Sequence, residues 1–180
     1  YLKKLDGELQ HMAKLVEEVM AFSKAETLPE REVPTDIRLV DLIADVRSRE
    51  AAGAEIVINI PSQLTLHTLK EALDRALGNV LRNAIRYAAD SGPILIEAEH
   101  LNGQTVIRVT DHGPGVPEES LSRLFEPFYR PEAARQRTTG GSGLGLAITQ
   151  RCIAACGGTV LAKLRSPRGL EIEFRIPDPH

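Results

Sequence analysis

The sequence predicts an α+β protein: a two-layer α/β sandwich with a mixed sheet of about five strands, covered on one face by about three helices and preceded by a coiled-coil-type helix. Three observations carry this. Short stretches that alternate apolar and polar residues, such as Glu55–Ile60 (EIVINI) and Thr105–Thr110, recur along the chain and read as half-buried strands. Segments with helical spacing of apolar residues lie between them, at 39–52, 69–88 and 144–156. Residues 1–26 carry an apolar seam with charged flanks, cut off from the rest by Pro29 and Pro34.

The seam is Leu2, Leu5, Leu9, Met12, Val16 and Val19, spaced by threes and fours. One helix cannot bury such a seam alone, so a partner helix is expected. Leu39 to about Ala52 reads as a helix that Gly53 is placed to end. The strand Glu55–Ile60 and a short one at Leu64–His67 follow, and Thr68 to Glu71 reads as a capping box opening the next helix. That helix stops before Gly92–Pro93. Ile94–Glu99 and Thr105–Thr110 form strands joined by a turn at Asn102–Gly103. A long run rich in glycine and proline extends to about Ser142, a length usual for functional lids or disordered segments. The helix Leu144–Cys156 ends at Gly157–Gly158, and Thr159–Leu164 and Leu170–Ile176 close the chain as a strand pair.

Composition narrows the function. Among 180 residues, 42% are hydrophobic and 26% charged, as in soluble globular proteins. A net charge of −3, a pI near 6.0 and the absence of Trp argue against nucleic acid as a partner. Cys152 and Cys156 stand one helical turn apart with no companion pair, so they read as buried small hydrophobes rather than metal ligands. No apolar run approaches the roughly 18–20 residues of a membrane span, and no signal peptide is visible. The first residue is Tyr, so the chain is expected to be a fragment.

The helix around LDRALGNVLRNAIRYA, Leu73–Ala88, carries a second stripe beside its apolar one: Asn79, Asn83, Arg86 and Tyr87. Residues three and four apart share a face, and Asn is a poor helix-interior residue because its side chain competes for backbone hydrogen bonds. One reason for such a stripe is a ligand: amide oxygens suit Mg²⁺, Arg suits phosphate, and Tyr offers a ring face to a base. The other is a cap or a buried hydrogen-bond network. Downstream, Asp111-His112-Gly113-Pro114-Gly115 leaves a strand. It is either a carboxylate poised to accept from an adenine amino group or an ordinary Asp-Gly turn. Gly140 to Leu146 (GGSGLGL) leads into a helix whose free N–H groups make a phosphate cradle, or a structural turn. No Gly-Lys-Ser/Thr follows, so it is not a P-loop.

Taken together, these stretches resemble the nucleotide-binding domain of sensor histidine kinases, within the ATP-binding superfamily shared with gyrase, certain chaperones and mismatch-repair proteins. The matching residues are Asn79–Ala84 (NVLRNA), Asp111–Gly115 (DHGPG), Leu124–Arg130 (LFEPFYR) and Gly141–Ile148 (GSGLGLAI), within a resemblance running from about Leu69 to Pro177. Met12–Ser23 looks like the second helix of the family's dimerisation hairpin.

The resemblance implies a Bergerat-type (GHKL) ATP-binding fold over 37–180, a linker and first strand at 28–36, a truncated dimerisation helix at 1–27, and an ATP lid at about 116–142. It implies that Asn83 coordinates Mg²⁺, Asn79 supports the metal or its waters, Arg86 touches phosphate and Tyr87 packs near adenine or ribose. Asp111 would hold the adenine amino group, with Gly113 and Gly115 shaping the pocket. Phe125 and Phe128 would anchor the lid, and Arg130 would contact the γ-phosphate. Gly143 and Gly145 would bind phosphate through backbone, and Val116, Ser142, Leu144 and Leu146 would complete the nucleotide contacts. ATP-hydrolysing relatives carry a Glu one turn before the metal-binding Asn. Asn79 stands there, and a neutral amide cannot take a proton from water. The implied reaction is therefore phosphoryl transfer to a histidine on a first dimerisation helix, for relay to a response-regulator receiver domain.

The implied catalytic set is Asn79, Asn83, Arg86 and Arg130. A homodimer through the N-terminal helix is implied, as is a site on the cytoplasmic side of a full-length protein anchored in the inner membrane, with no membrane contact by this fragment. The acceptor pattern, a His followed by Glu or Asp and then Thr/Asn-Pro, does not occur: His11 is followed by Met12. The chain alone is therefore expected not to autophosphorylate. Leu170 follows Gly169 where the family often has Thr, a departure at the position of one water-mediated adenine contact. A nucleotide-binding module without transfer activity and an anti-sigma-type serine kinase remain as alternatives.

Overall fold

In a computed structural model of the chain, the described residues are 12–13, 16, 19–20, 23, 32–51, 53–88, 91–131 and 141–179. Of the expected N-terminal seam, Leu2, Leu5 and Leu9 lie outside these residues. Met12, Val16 and Val19 are helical and 62%, 58% and 49% exposed.

The first strand, β1 (Thr35–Arg38), pairs antiparallel with β3 (Thr65–Thr68) in a two-stranded sheet, Ile37 opposite Leu66. Between them lie helix α1 (Leu39–Glu50) and strand β2 (Ile56–Asn59). Helix α2 (Lys70–Ala88) leads to β4 (Ile94–Leu101) and β5 (Gln104–Thr110). A 3₁₀ turn at Glu118–Arg123 precedes helix α3 (Gly145–Ala155), and β6 (Thr159–Leu164) and β7 (Leu170–Pro177) finish the chain. The main sheet has the order β2-β4-β5-β7-β6. It is mixed because β2 and β4 run parallel while its other pairs are antiparallel. A parallel pair needs a crossover of a dozen or more residues; β3 and α2 supply it.

The β4–β5 turn follows directly from residue type. Asn102 (φ 53°) and Gly103 (φ 73°) are both left-handed, as the two-residue β4–β5 hairpin requires. The core lies between the sheet and the three helices. Leu42, Ile43 and Val46 of α1, Leu73, Leu77 and Leu81 of α2, and Ile148, Cys152 and Ile153 of α3 pack in one cluster with Ile96, Ile107, Ile172 and Phe174 from the strands. Burial of both cysteines pushes their thiols up, Cys152 to about 12, so both behave as hydrophobes.

The capping box expected at Thr68–Glu71 is not what caps α2. The backbone N–H groups of Glu71 and Ala72 donate instead to the two carboxylate oxygens of Glu32, at 2.5 and 3.3 Å. Thr68 is the last residue of β3 and its side chain is turned into the protein, 3% exposed, beside the Cys156 thiol. A carboxylate at a helix N-terminus also meets the positive end of the dipole. Glu32→Ala is expected to lower stability by about 1 kcal/mol, read as a shift of the urea midpoint with unchanged slope.

The sheet face away from the helices carries a charged ladder. The Glu173 carboxylate, 1% exposed, accepts from Arg108 at 2.9 Å, Lys163 at 2.8 Å and Arg175 at 2.8 Å, and Arg108 reaches Glu99 at 2.7 Å. Burial pushes the Glu173 carboxyl up, but the three cationic donors outweigh it and hold it at about 2, against an ordinary 4.5. A carboxyl depressed on folding adds stability above its unfolded value and loses it as pH falls toward its folded one. Glu173→Gln should therefore flatten the acid limb of the stability profile between about pH 4.5 and pH 2, measured by urea unfolding at stepped pH.

Candidate functional site

Most of the residues singled out in the sequence meet at one cavity of about 490 Å³ between α2, the ends of β5 and β7, and the start of α3. From α2 it takes Asn79, Asn83, Arg86 and Tyr87, and also Arg82. Asp111, Gly115 and Val116 line it after β5, and Ser142, Gly143, Gly145 and Leu146 line it ahead of and within α3. Arg130 contributes from the segment between, and Leu170 and Ile172 from β7.

Helical spacing places the polar stripe of α2 on one side, and the glycines let α3 come close to it. A Cβ added at Gly145 would lie 3.7 Å from Asn83 Nδ2 and 3.9 Å from Oδ1, so the carboxamide sits against the first turn of α3. No side chain caps that turn, and its leading N–H groups and dipole favour an anion. A Cβ at Gly141 would stand 2.5 Å from Arg86 Nη1. Arg130 Nη1 donates to the Gly141 carbonyl at 3.1 Å. Two guanidinium groups therefore flank the glycine turn. Gly143 has φ +78°, and a Cβ there would fall 2.8 Å from Phe128 C and 2.9 Å from Tyr129 O. Only glycine fits so close a crossing of two backbones.

At the other end, Asp111 follows β5 directly. Its Oδ1 accepts from Gly113 N at 2.8 Å and Leu170 N at 3.3 Å. Burial raises the Asp111 carboxyl above its ordinary value, while these two backbone donors pull it down. Leu170 stands where Thr was expected from the resemblance, and it serves Asp111 through its backbone N–H. His112 turns away: Nδ1–H donates to the Pro93 carbonyl at 2.9 Å, which makes it a turn residue.

Three residues expected at the nucleotide site do not line the cavity: Gly113, Phe125 and Leu144. Gly113 holds Asp111 instead. Phe125 packs on the core, whereas Phe128 is 62% exposed at φ 66°. Leu144 is fully buried and its N–H is engaged by Ser142 Oγ at 3.1 Å. Arg82 and Ile172 also line the cavity, without a role expected from the motifs. Arg82 lies three residues from Asn79, and that spacing was the available signal.

A magnesium nucleotide fits these donors. Among the described residues no group of three or more His, Cys, Asp or Glu could hold a metal alone. A hard cation here would take one amide oxygen, from Asn83, and complete its shell with phosphate and water oxygens, which is how Mg²⁺ is commonly held. The Asn79 side-chain N–H₂ is buried without an acceptor, as a donor awaiting a phosphate or water oxygen would be.

A family model described as histidine kinase-, DNA gyrase B-, and HSP90-like ATPase matches residues 68–180, and the chain belongs to that family. It is 30% identical over 178 residues to the signal transduction histidine-protein kinase BaeS of Escherichia coli (strain K12), covering 96% of this chain and 38% of BaeS. The sensor histidine kinase WalK of Bacillus subtilis (strain 168) is 29% identical, with 98% of this chain and 30% of WalK covered. Among solved structures, full-length ShkA in complex with AMPPNP superposes with a TM-score of 0.80 at 29% identity, covering 98% of this chain and 38% of that one. The mycobacterial sensor histidine kinase MprB gives 0.69 at 26% identity over 81% of this chain and all of that one. The chain thus spans about a third of the length of the curated relatives it matches.

Proposed function

We propose that the chain is the catalytic portion of a sensor histidine kinase, binding Mg–ATP and directing its γ-phosphoryl group to a histidine on a first dimerisation helix. The observation that carries this is the seating of the Asn83 carboxamide against the uncapped first turn of α3, where a Cβ on Gly145 would be 3.7 Å away. An amide oxygen for the metal and free N–H groups for phosphate share one wall. Arg86 and Arg130 neutralise charge at the phosphates, and Asp111 accepts from the adenine amino group. Phosphoryl transfer asks chiefly for positioning and charge neutralisation, and these residues supply both. Asn79 has no proton-accepting group for water, so hydrolysis is not assisted and the phosphoryl group is kept for imidazole.

On this reading residues 1–27 are the second helix of a dimerisation hairpin, 28–36 the linker, 37–180 the catalytic domain and about 116–142 its lid. The partner downstream is a response-regulator receiver domain, the full-length protein is a homodimer, and it works on the cytoplasmic side of a membrane. The chain has no acceptor motif of its own, so it does not phosphorylate itself.

The test is incubation with labelled ATP, Mg²⁺ and a separately made first helix. Acid-labile label on the helix histidine, with little free phosphate, is the expected outcome. Steady phosphate release with no label on the helix would exclude the proposal.

A further inference from the structure

Arg82 is a charged cavity residue of α2 that the mechanism leaves idle, and its partners are specific. Its Nη1 pairs with Glu50 Oε1 at 2.6 Å, from the last residue of α1. Its Nη2 donates to Asn79 Oδ1. Gly78 leaves room for this: a Cβ there would stand 3.4 Å from both Arg82 Nη1 and Glu50 Oε1. A guanidinium only donates. The atom of Asn79 facing it must therefore be the oxygen, which fixes an amide orientation that is otherwise ambiguous. The Asn79 oxygen is thereby engaged. Its N–H₂ group is left buried, without an acceptor, on a residue 7% exposed that lines the cavity. Leaving a buried donor unpaired is costly, so an arriving acceptor gains where a second cation would not.

We propose that Arg82, anchored by Glu50, is a positioning residue: it holds the Asn79 carboxamide with its oxygen turned to the guanidinium, so that Asn79 serves the nucleotide as a donor to phosphate oxygen and Asn83 alone gives an amide oxygen to the metal. This rests on the ATP-binding reading above. It also changes the role expected for Asn79, from supporting the metal to gripping the anion.

The experiment is calorimetric titration with ATP, once in EDTA and once in excess Mg²⁺, for wild type, Arg82→Ala, Arg82→Lys, Asn79→Ala and the Arg82→Ala/Asn79→Ala pair. Arg82→Ala should weaken ATP about tenfold in both conditions alike, the scale of one hydrogen bond to a charged group. Arg82→Lys should recover part of the loss, because a lysine can still donate to Oδ1. In the Asn79→Ala background, removing Arg82 should cost less than about twofold more, since the two act as one unit. Glu50→Gln, whose side chain does not line the cavity, should weaken ATP in the same direction.

Unchanged affinity in Arg82→Ala or in Glu50→Gln overturns the proposal. So does a loss confined to Mg²⁺, which would make Asn79 act through the metal. Additive losses in the pair overturn it too, because Arg82 would then grip phosphate by itself. If wild type does not bind ATP at all, the reading of the site as a nucleotide pocket fails. If wild type binds and Arg82→Ala binds equally well, only the role of Arg82 fails.

Discussion

On the proposed reading, Asn83→Ala is expected to abolish the gain in ATP affinity that Mg²⁺ provides, while binding in EDTA stays near that of wild type. Among the described residues the cavity holds no acidic or imidazole cluster for a metal, so on the proposed reading the protein's hold on the cation would pass through the Asn83 carboxamide, which sits against the start of α3. Removing it takes away one oxygen from a cation that has few protein ligands. Losing a contact to a charged group costs about 10–100-fold in affinity, and here that loss should appear only with metal present. Titration with and without Mg²⁺ measures it. A loss of the same size in EDTA would mean that Asn83 binds phosphate and not the metal. Asn83→Asp is the companion: it keeps an oxygen ligand, so Mg²⁺-linked binding should survive.

Gly169→Ala is expected to disrupt both the fold around Asp111 and the nucleotide site. Gly169 sits at φ +126°, and a Cβ there would lie 2.1 Å from the Asp111 carbonyl oxygen and 3.3 Å from His112 Cα. Both obstacles are backbone, so no side chain can swing aside to make room. The unfavourable φ alone costs about 1–3 kcal/mol, and relief of the overlap requires the β6–β7 turn to part from the end of β5. That movement would break the Asp111 N to Leu170 O bond (2.9 Å) and draw the Leu170 N–H away from Asp111 Oδ1. ATP binding should fall below detection, and thermal unfolding should shift down. Gly53→Ala is the control. It too has positive φ, +88°, but nothing lies within 4 Å of its added Cβ, so it should pay the conformational penalty while leaving ATP binding intact.

Much of this architecture was legible from periodicity, because local rules decide it. The β4–β5 turn at Asn102–Gly103 needs two left-handed residues and has them. The strand at Thr159–Leu164 falls where a closing strand pair after Gly157–Gly158 is expected. The polar stripe of α2 needed only helical spacing to reach one cavity wall. What was not legible depends on partners far along the chain. The cap of α2 comes from Glu32, nearly forty residues upstream, and no local pattern contains it. Glu173 alternates as a solvent-facing strand residue, yet it is 1% exposed because Arg108, Lys163 and Arg175 converge on it from three strands. Leu144 sits inside a glycine motif and was grouped with its neighbours. As the apolar residue of that motif it belongs to the core, fully buried. Arg82 gained its place from Glu50 on another helix.

The cavity wall is assembled from segments as far apart as Asn79 and Ile172. An unfolded chain has no such wall and hence nothing to offer the ligand. Nucleotide acts on the folding equilibrium itself: at a concentration a hundred times its Kd it deepens the native well by about 2.7 kcal/mol. On the proposed reading the melting temperature is thereby a titration curve for the site, and ATP would serve the chain as a stabiliser before serving as a phosphoryl donor.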